Sequence, residues 1–280
     1  MIISASRKTD IPAFYSEWFF NRLSVGYVCI PSSNKGKYKS ISLLPNDVSG
    51  FVFWTKNPIP MINKLYLLDD FAYYFQFTIN AYHVDIEPNV PNKDRYIIPA
   101  FKTLSNIIGK DRVIWRYDPI LISDQYTVDY HIKYFEYLCK QLYQFTTKCI
   151  FSFLDVYKNV QKNISHTNIR PPNQSEQVEL AFYFSQIAQK YGLTLETCAE
   201  SINLSEFSIH HAKCIDADLL SKISGCQMNW SKDFAQRKDC GCAQSVDIGK
   251  YNTCHNGCVY CYATSQFDTM YNHNPKSTFL

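Results

Sequence analysis

Short runs of β-branched and aromatic residues recur along the first two hundred positions, separated by longer segments with apolar residues at helical spacing. Strands that alternate with helices in this way predict βαβ units with parallel neighbouring strands. Six runs have the composition of main strands: Ile2–Ser6, Phe51–Thr55, Tyr73–Thr78, Arg112–Tyr117, Cys149–Leu154 and Leu193–Cys198.

The connecting segments contain helix start and stop signals. Asp10 is expected to cap the first helix and Gly26 to end it, and Ser175 is expected to cap the last helix of the repeating pattern. Two further strand-like pieces, Tyr27–Pro31 and Ser40–Leu44, predict an insertion after the first helix. Six β/α units without a hairpin signal favour a (β/α)6-type partial TIM barrel, although periodicity alone also allows an open sheet. We therefore predict an α/β protein with a parallel partial barrel over residues 1–205.

Composition and charge narrow the class of protein. The chain has 280 residues, of which 46% are hydrophobic and 19% charged, and this excludes a disordered chain. The formal net charge of +3 neither indicates nor excludes a nucleic-acid partner. The N terminus has no signal-peptide core and no run is long enough to span a membrane, so we expect a cytoplasmic protein with no membrane partner.

The cysteines mark the C-terminal region as different. Eleven cysteines is an odd number, and a chain without an export signal is not expected to form a disulfide framework. Eight of the eleven lie between Cys198 and Cys261. Metal binding or catalysis is the better interpretation of such a concentration. Residues 206–280 are therefore predicted to form a cysteine-rich extension that packs over the mouth of the barrel.

Polar residues collect where the predicted strands end. The carboxyl ends of parallel strands meet at one edge, and the chemistry of β/α proteins is found there. We interpret five of these residues as catalytic or substrate-binding and three as cofactor-binding. The first set is Arg7, Asp10, Lys56, Arg116 and Asp118, and the second is Asn57, Thr78 and Glu196.

Cys254, Cys258 and Cys261 form a C-x3-C-x2-C run with Tyr260 directly before the last cysteine. Three thiolates at this spacing can hold one [4Fe–4S] cluster, and Gly257 allows the tight turn that this needs. A cluster with three cysteine ligands keeps its fourth iron open, and the amino and carboxylate groups of S-adenosylmethionine can bind there.

The run resembles the cluster-binding loop of the radical S-adenosylmethionine enzymes, including the aromatic residue Tyr260. This resemblance implies reductive cleavage of S-adenosylmethionine to methionine and a deoxyadenosyl radical, with Tyr260 among the cofactor-binding residues. It also implies an electron donor such as flavodoxin or ferredoxin. In most of these enzymes the loop follows the first strand, whereas here it lies near residue 254. We therefore expect the extension to fold back towards Arg7, Asp10, Arg116 and Asp118.

The whole chain is also similar to an uncharacterised bacterial family of unknown function, whose C-terminal cysteines resemble the same loop. The segments that show this similarity are Ser4–Pro12, Phe53–Pro58, Trp115–Pro119 and Asp247–Cys254. That family implies the cofactor and leaves the substrate unknown.

A second site is predicted from Cys240-Gly241-Cys242 together with Cys198 and Cys214. Four thiolates could bind a second [4Fe–4S] cluster or a structural Zn²⁺, or Cys198 and Cys214 could be small buried residues without a ligand. The alternative function for the whole chain is a non-catalytic zinc or iron–sulfur module whose barrel recognises nucleic acid or protein.

Overall fold

The computed structural model describes residues 1–32, 36–264 and 273–280. An eight-stranded sheet with parallel pairing throughout lies at its centre, and its strand order is β10-β1-β4-β5-β6-β7-β8-β9. The strands of the molecule are β1 (Ile2–Ala5), β2 (Tyr27–Pro31), β3 (Tyr38–Ser42), β4 (Gly50–Thr55), β5 (Tyr73–Thr78), β6 (Val113–Ile120), β7 (Lys148–Phe153), β8 (Thr194–Thr197), β9 (His210–His211) and β10 (Val246–Asp247). The predicted α/β class and the six main parallel strands are confirmed.

Helices connect these strands. They are α1 (Ile11–Phe14), α2 (Ser16–Val25), α3 (Ile59–Ile62), α4 (Ile98–Ile108), α5 (Val128–Leu142), α6 (Lys158–Ile164), α7 (Gln174–Lys190) and α8 (Ala217–Ser224). Short 3-10 helices cover Leu65–Leu68, Lys110–Arg112 and Ser205–Phe207, and a π-helix covers Lys93–Ile97. None of the helices in the described part of the chain has both the length and the apolar character needed to cross a membrane.

Helix ends follow the predicted caps in two of three cases. Asp10 caps α1, and Gly26 ends α2 with a φ of 86°. The predicted cap Ser175 is wrong, because α7 starts one residue before it. The Asn173 side chain accepts a hydrogen bond from the backbone of Glu176, whose carboxylate accepts one from the backbone of Asn173. This reciprocal capping box fixes the earlier start.

One face of the sheet carries large apolar side chains that pack against the helices. Phe51, Phe53, Phe75, Phe77 and Trp115 alternate along β4, β5 and β6, and each is fully buried. Burial of a side chain of this size contributes about 2 kcal/mol to the free energy of folding. This helix-side layer is the main core.

The opposite face of the sheet packs against the extension instead of against helices α1 to α7. Val52, Tyr74, Ile114 and Ile150 form a second core with side chains from residues 212–243. We call this surface the inner face. Here the Tyr74 hydroxyl donates to the carbonyl oxygen of Cys214 at 2.7 Å. The extension is therefore a second layer of the fold.

Both edge strands of the sheet also come from the extension. β10 pairs with β1, with Ile3 opposite Val246, and β9 pairs with β8. The insertion after α2 is an antiparallel hairpin of β2 and β3, with Cys29 opposite Ser40. The expectation of no hairpin was wrong, because six residues separate these two strands and the sequence offers no two-residue turn signal.

Candidate functional site

The loop with the C-x3-C-x2-C run lies over the carboxyl ends of β1, β4 and β5. The Asn256 side chain donates to Asp10 at 3.1 Å, and the Tyr262 hydroxyl donates to the carbonyl oxygen of Arg7 at 2.8 Å. The backbone N–H of Val259 donates to the carbonyl oxygen of Ile86 at 3.0 Å. The first two contacts bring the C-terminal loop against Arg7 and Asp10, which lie about 250 positions earlier, as predicted.

The three thiols of this loop, which we call the loop cysteines, are close enough to influence one another electrostatically. Cys258 is buried, Cys254 and Cys261 are partly exposed, and the backbone N–H of Cys261 donates to the carbonyl oxygen of Cys258 at 3.0 Å. Gly257 adopts a φ of 71°, and a side chain there would come within 2.9 Å of Pro88. Glycine is therefore required at the centre of the turn, as the spacing predicted.

Burial favours the protonated form of two loop thiols, Cys254 and Cys258. It raises the pKa of Cys254 to about 12, with a further rise from Asp10, and the backbone N–H groups of Asp10 and Asn256 oppose this by hydrogen bonding to the sulfur. Burial also raises the pKa of Cys258, against the opposing effect of the Lys56 ammonium. Without a ligand Cys254 and Cys258 are protonated, and a bound cation would have to displace their protons.

Asp10 joins the first strand–helix turn to the loop. Its carboxylate accepts hydrogen bonds from the backbone of Ala13 (3.0 Å), the Thr55 hydroxyl (2.7 Å), the backbone of Lys56 (2.7 Å) and the Asn256 amide (3.1 Å). Burial raises the pKa of Asp10, and these four donors lower it in part. Because its acceptor positions are occupied, Asp10 acts here as a positioning residue.

Glu87 forms ion pairs with two lysines beneath the loop. Its carboxylate oxygens lie 2.8 Å from Lys56 Nζ and 2.8 Å from Lys93 Nζ, and it also accepts hydrogen bonds from Tyr260 and Asn80. Burial favours the neutral acid, but the two ammonium groups outweigh it and lower the pKa of Glu87 to about 2. This ion cluster holds Lys56 beside the loop.

Lys56 and Tyr260 are the predicted site residues that this cluster holds in place. Lys56 Nζ lies 5.4 Å from the centre of the Tyr260 ring and interacts electrostatically with the sulfur of Cys258. Although burial lowers the pKa of Lys56, Glu87 and Cys258 together raise it above its usual value. A permanent positive charge therefore lies next to the loop cysteines.

Asp247 fixes the extension where it enters the site. Its carboxylate accepts hydrogen bonds from the hydroxyls of Ser4 (3.0 Å) and Ser6 (2.7 Å) and from the backbone of Arg7 (2.9 Å). Its neighbour in sequence, Ile248, extends the pairing to β1 by donating to the carbonyl oxygen of Ser4 at 3.1 Å. The loop thus starts from a position fixed relative to the first strand.

Arg116 and Asp118 lie on β6 and form an ion pair on the inner face, in which Arg116 is buried and Asp118 is partly exposed. The Arg116 guanidinium donates through Nε to Asp118 at 3.0 Å and through Nη1 to Cys214 Sγ at 3.0 Å. Asp118 also accepts from the Ser152 hydroxyl, and although burial favours its neutral form, Arg116 lowers its pKa. Arg116 therefore contacts the second predicted cysteine set rather than the loop cysteines.

That second set comes together on the inner face, and we call its four members, Cys198, Cys214, Cys240 and Cys242, the sheet-face cysteines. Their thiols form one hydrogen-bonded series in the order Cys198, Cys214, Cys242, Cys240, and the first two sulfurs are 3.4 Å apart. The hydrogen bond from Cys242 lowers the pKa of Cys240 to about 7. Across the described residues, no three His, Cys, Asp or Glu side chains converge tightly enough to hold a single metal ion.

The remaining predicted residues are less central. The Asn57 side chain accepts a hydrogen bond from the backbone of Ile59 at 3.2 Å and so supports the start of α3. Thr78 ends β5 on the inner face opposite Arg116. The Glu196 carboxylate on β8 forms an ion pair with Lys148 Nζ on β7 at 2.7 Å. Glu196 lies two residues before Cys198. The side-chain contacts that Asn57 and Glu196 make are therefore with the start of α3 and with β7.

Sequence reasoning did not assign a role to Glu87, Asp247 or Asn256. Glu87 has no detectable signal, because the two lysines that surround it come from different loops. Asn256 lies inside the C-x3-C-x2-C run and Asp247 lies just before it, so their proximity to the motif was a usable signal. Each of these residues positions the loop through a buried or half-buried polar contact.

A family model described as "Domain of unknown function (DUF1848)" matches residues 2–263. No curated protein matches the chain. The match covers β1, the complete sheet and both cysteine groups.

Proposed function

The chain belongs to the DUF1848 family, and we propose that it is a radical S-adenosylmethionine enzyme with an unknown substrate. The observation that supports this most is the placement of the loop cysteines over the strand ends, with the Lys56 ammonium held beside Cys258. In this proposal Cys254, Cys258 and Cys261 hold a [4Fe–4S] cluster.

The chemistry of the donor set fits such a cluster. Three thiolate ligands give the site a negative charge, and a buried site needs a cation and N–H donors to offset it. Lys56 supplies the cation. The Asn256 amide lies 3.6 Å from Cys254 Sγ, and the backbone N–H groups of Asp10 and Asn256 donate to the same sulfur. Each loop thiolate would bind a different iron, so the thiols need not converge on one point.

When bound, the cluster supplies the electron that cleaves S-adenosylmethionine to methionine and a deoxyadenosyl radical. The electron would come from a small redox protein such as flavodoxin or ferredoxin. This chemistry needs reduced thiols, and all eleven cysteines are free thiols that form no disulfide bond. The proposal therefore places the protein in the cytoplasm.

Two buried donors near the strand ends are available to a cofactor. Among the described residues, Arg7 Nε and Trp54 Nε1 have no hydrogen-bond acceptor. The guanidinium carbons of Arg7 and Arg116 lie 5.8 and 5.1 Å from the centre of the Trp54 ring. A buried donor without an acceptor is unfavourable, and the carboxylate of S-adenosylmethionine would satisfy it. We assign Arg7 and Trp54 to cofactor binding and Asp118 to the substrate side.

The parallel sheet supports one further element of the proposal, a partial barrel with the site at its mouth. The inner face is covered by the extension, and the loop lies across the carboxyl ends of β1, β4 and β5. A reactive radical needs a site from which water is excluded. Cys258 lies within the loop and is itself buried, which contributes to the exclusion of water.

The test is anaerobic reconstitution of the full chain with iron and sulfide, followed by reduction in the presence of S-adenosylmethionine. Replacement of the loop cysteines by Ala is expected to abolish the formation of deoxyadenosine and methionine, because no cluster with an open iron can form. Cys226→Ala is the matched control, since this exposed thiol belongs to neither cysteine group. Cleavage that persists in the triple variant, or that is absent from the reconstituted wild type, contradicts the proposal.

A further inference from the structure

The sheet-face cysteines come from three separate parts of the chain and meet at one buried place. Cys198 follows β8, Cys214 lies between β9 and α8, and Cys240 and Cys242 lie close before β10. Cys214 and Cys242 are only 3% and 2% exposed. Assembly of four thiols from distant segments is more than packing of small apolar residues requires, because among the described residues the hydrogen bonds of these thiols are to other thiols or to N–H groups.

Two N–H donors point at these sulfurs. Arg116 Nη1 lies 3.0 Å from Cys214 Sγ, and the backbone nitrogen of Ile215 lies 3.3 Å from Cys242 Sγ. A neutral thiol is a weak acceptor, whereas a metal-bound thiolate is a strong one. Arg116 is itself 3% exposed, so its charge needs anions in contact with it, and the partly exposed Asp118 supplies one of them. A thiolate site would supply another.

The arrangement distinguishes between classes of ligand. The thiols form a series in which each contacts the next, and within the described part of the chain no three of them surround a single point. A zinc ion needs four thiolates around one centre, whereas an iron–sulfur cluster distributes them over several irons. We infer that Cys198, Cys214, Cys240 and Cys242 bind a second iron–sulfur cluster, with Arg116 hydrogen-bonded to one of its ligands.

This second site is independent of the proposed function, because it shares no ligand with the loop. It is nevertheless connected to the first site by a series of interactions between charged side chains. Arg116 contacts Asp118, and Lys56 interacts with both Asp118 and Cys258. One layer of charged side chains therefore links the two cysteine groups.

The experiment uses the full chain in which all three loop cysteines are replaced by Ala, purified anaerobically with iron supplied. We expect this parent variant to retain iron, acid-labile sulfide and broad visible absorption. Adding Cys240→Ser and Cys242→Ser should remove all three signals, whereas adding Cys226→Ser should leave them unchanged. Because the parent cannot bind a cluster in the loop, the result does not depend on whether the proposed function is correct.

Zinc in place of iron, a disulfide between Cys198 and Cys214, or no metal in the parent would each overturn the inference. Arg116→Gln gives a second measurement should the serine variants fail to fold. The guanidinium hydrogen bond stabilises the more negative, reduced cluster, so its loss should shift the midpoint potential downward while the iron content is retained. An unchanged potential would overturn the assignment of Arg116.

Discussion

The loop cysteines and the sheet-face cysteines are assembled in opposite ways. The loop group lies within eight consecutive residues, and its local turn depends on Gly257. The sheet-face group spans residues 198–242 and exists only once the extension has packed on the inner face. Lys56 accompanies the first group and Arg116 the second. Spacing in sequence therefore identifies the first group directly, whereas the second depends on tertiary structure.

The two regions also contain buried acids with opposite behaviour. Next to the loop, Lys56 and Lys93 lower the pKa of Glu87 to about 2. Beyond β8, burial raises the pKa of Glu200 to about 7, with a smaller opposing effect from the backbone N–H of Phe153. The loop region is thus stabilised by a charged acid, whereas the segment after β8 contains an acid that keeps its proton up to about pH 7.

The largest expected effect is that of Glu87→Gln. Removal of this charge leaves the largely buried ammonium groups of Lys56 and Lys93 without their shared carboxylate, so the free energy of unfolding should fall by about 3 to 5 kcal/mol at pH 7. Urea denaturation followed by circular dichroism measures it. Glu136→Gln, which removes an exposed partner of Lys190, is the matched control and should change the free energy of unfolding very little.

The stabilisation that Glu87 provides should depend on pH in a defined direction. The pKa of Glu87 is lowered from 4.5 to about 2, so its contribution is fully present above pH 4.5 and is lost as the pH falls towards 2. That contribution is about 3 kcal/mol. The difference between the wild type and Glu87→Gln should therefore shrink in acid. A constant difference would show that Glu87 acts through packing alone.

Glu200→Gln is expected to have a smaller effect of the opposite sign. The folded state keeps a proton on Glu200 between pH 4.5 and about 7, while the unfolded state loses it, so stability falls as the pH rises through this window. The variant should match the wild type near pH 4 and exceed it by about 2 kcal/mol at pH 8. Equal stability at both pH values would contradict the raised pKa.

The smallest predicted change is that of Tyr260→Phe, which removes one hydroxyl from the loop region. That hydroxyl donates to Glu87 and accepts from Asn80, so its loss should lower the free energy of unfolding by about 1 kcal/mol. Tyr262→Phe, at an exposed tyrosine of the same loop, should have a smaller effect. A larger effect at Tyr262 would mean that its contact with Arg7 holds the loop more firmly than Glu87 does.

Much of the fold could be predicted because strand composition and helix period are local properties. The six predicted strands differ from the observed ones by a few residues at their ends, and the return of the loop to Arg7 and Asp10 followed from the convergence of parallel strand ends. The antiparallel pairing of β2 with β3 and the edge positions of β9 and β10 could not be predicted. Strands of two residues have no periodicity to detect.

The site was predicted less completely, because charge pairing is a tertiary property. Lys56 was identified from its position after β4, but its partner Glu87 lies in a different loop and no periodicity marks it. Arg116 was expected near the loop and instead donates to Cys214. Strand alternation placed Arg116 on the inner face, and only the packing of the extension determines which sulfur meets it there.

The pairing of β10 with β1 has a consequence for how the protein is made. β1 leaves the ribosome long before β10, and its outer edge remains unpaired until residue 246 has been synthesised. An exposed strand edge is a template for association with other chains, and contacts across so many residues form slowly. The nascent chain therefore carries this open edge from the synthesis of β1 to that of β10, and association with other chains is favoured during that interval.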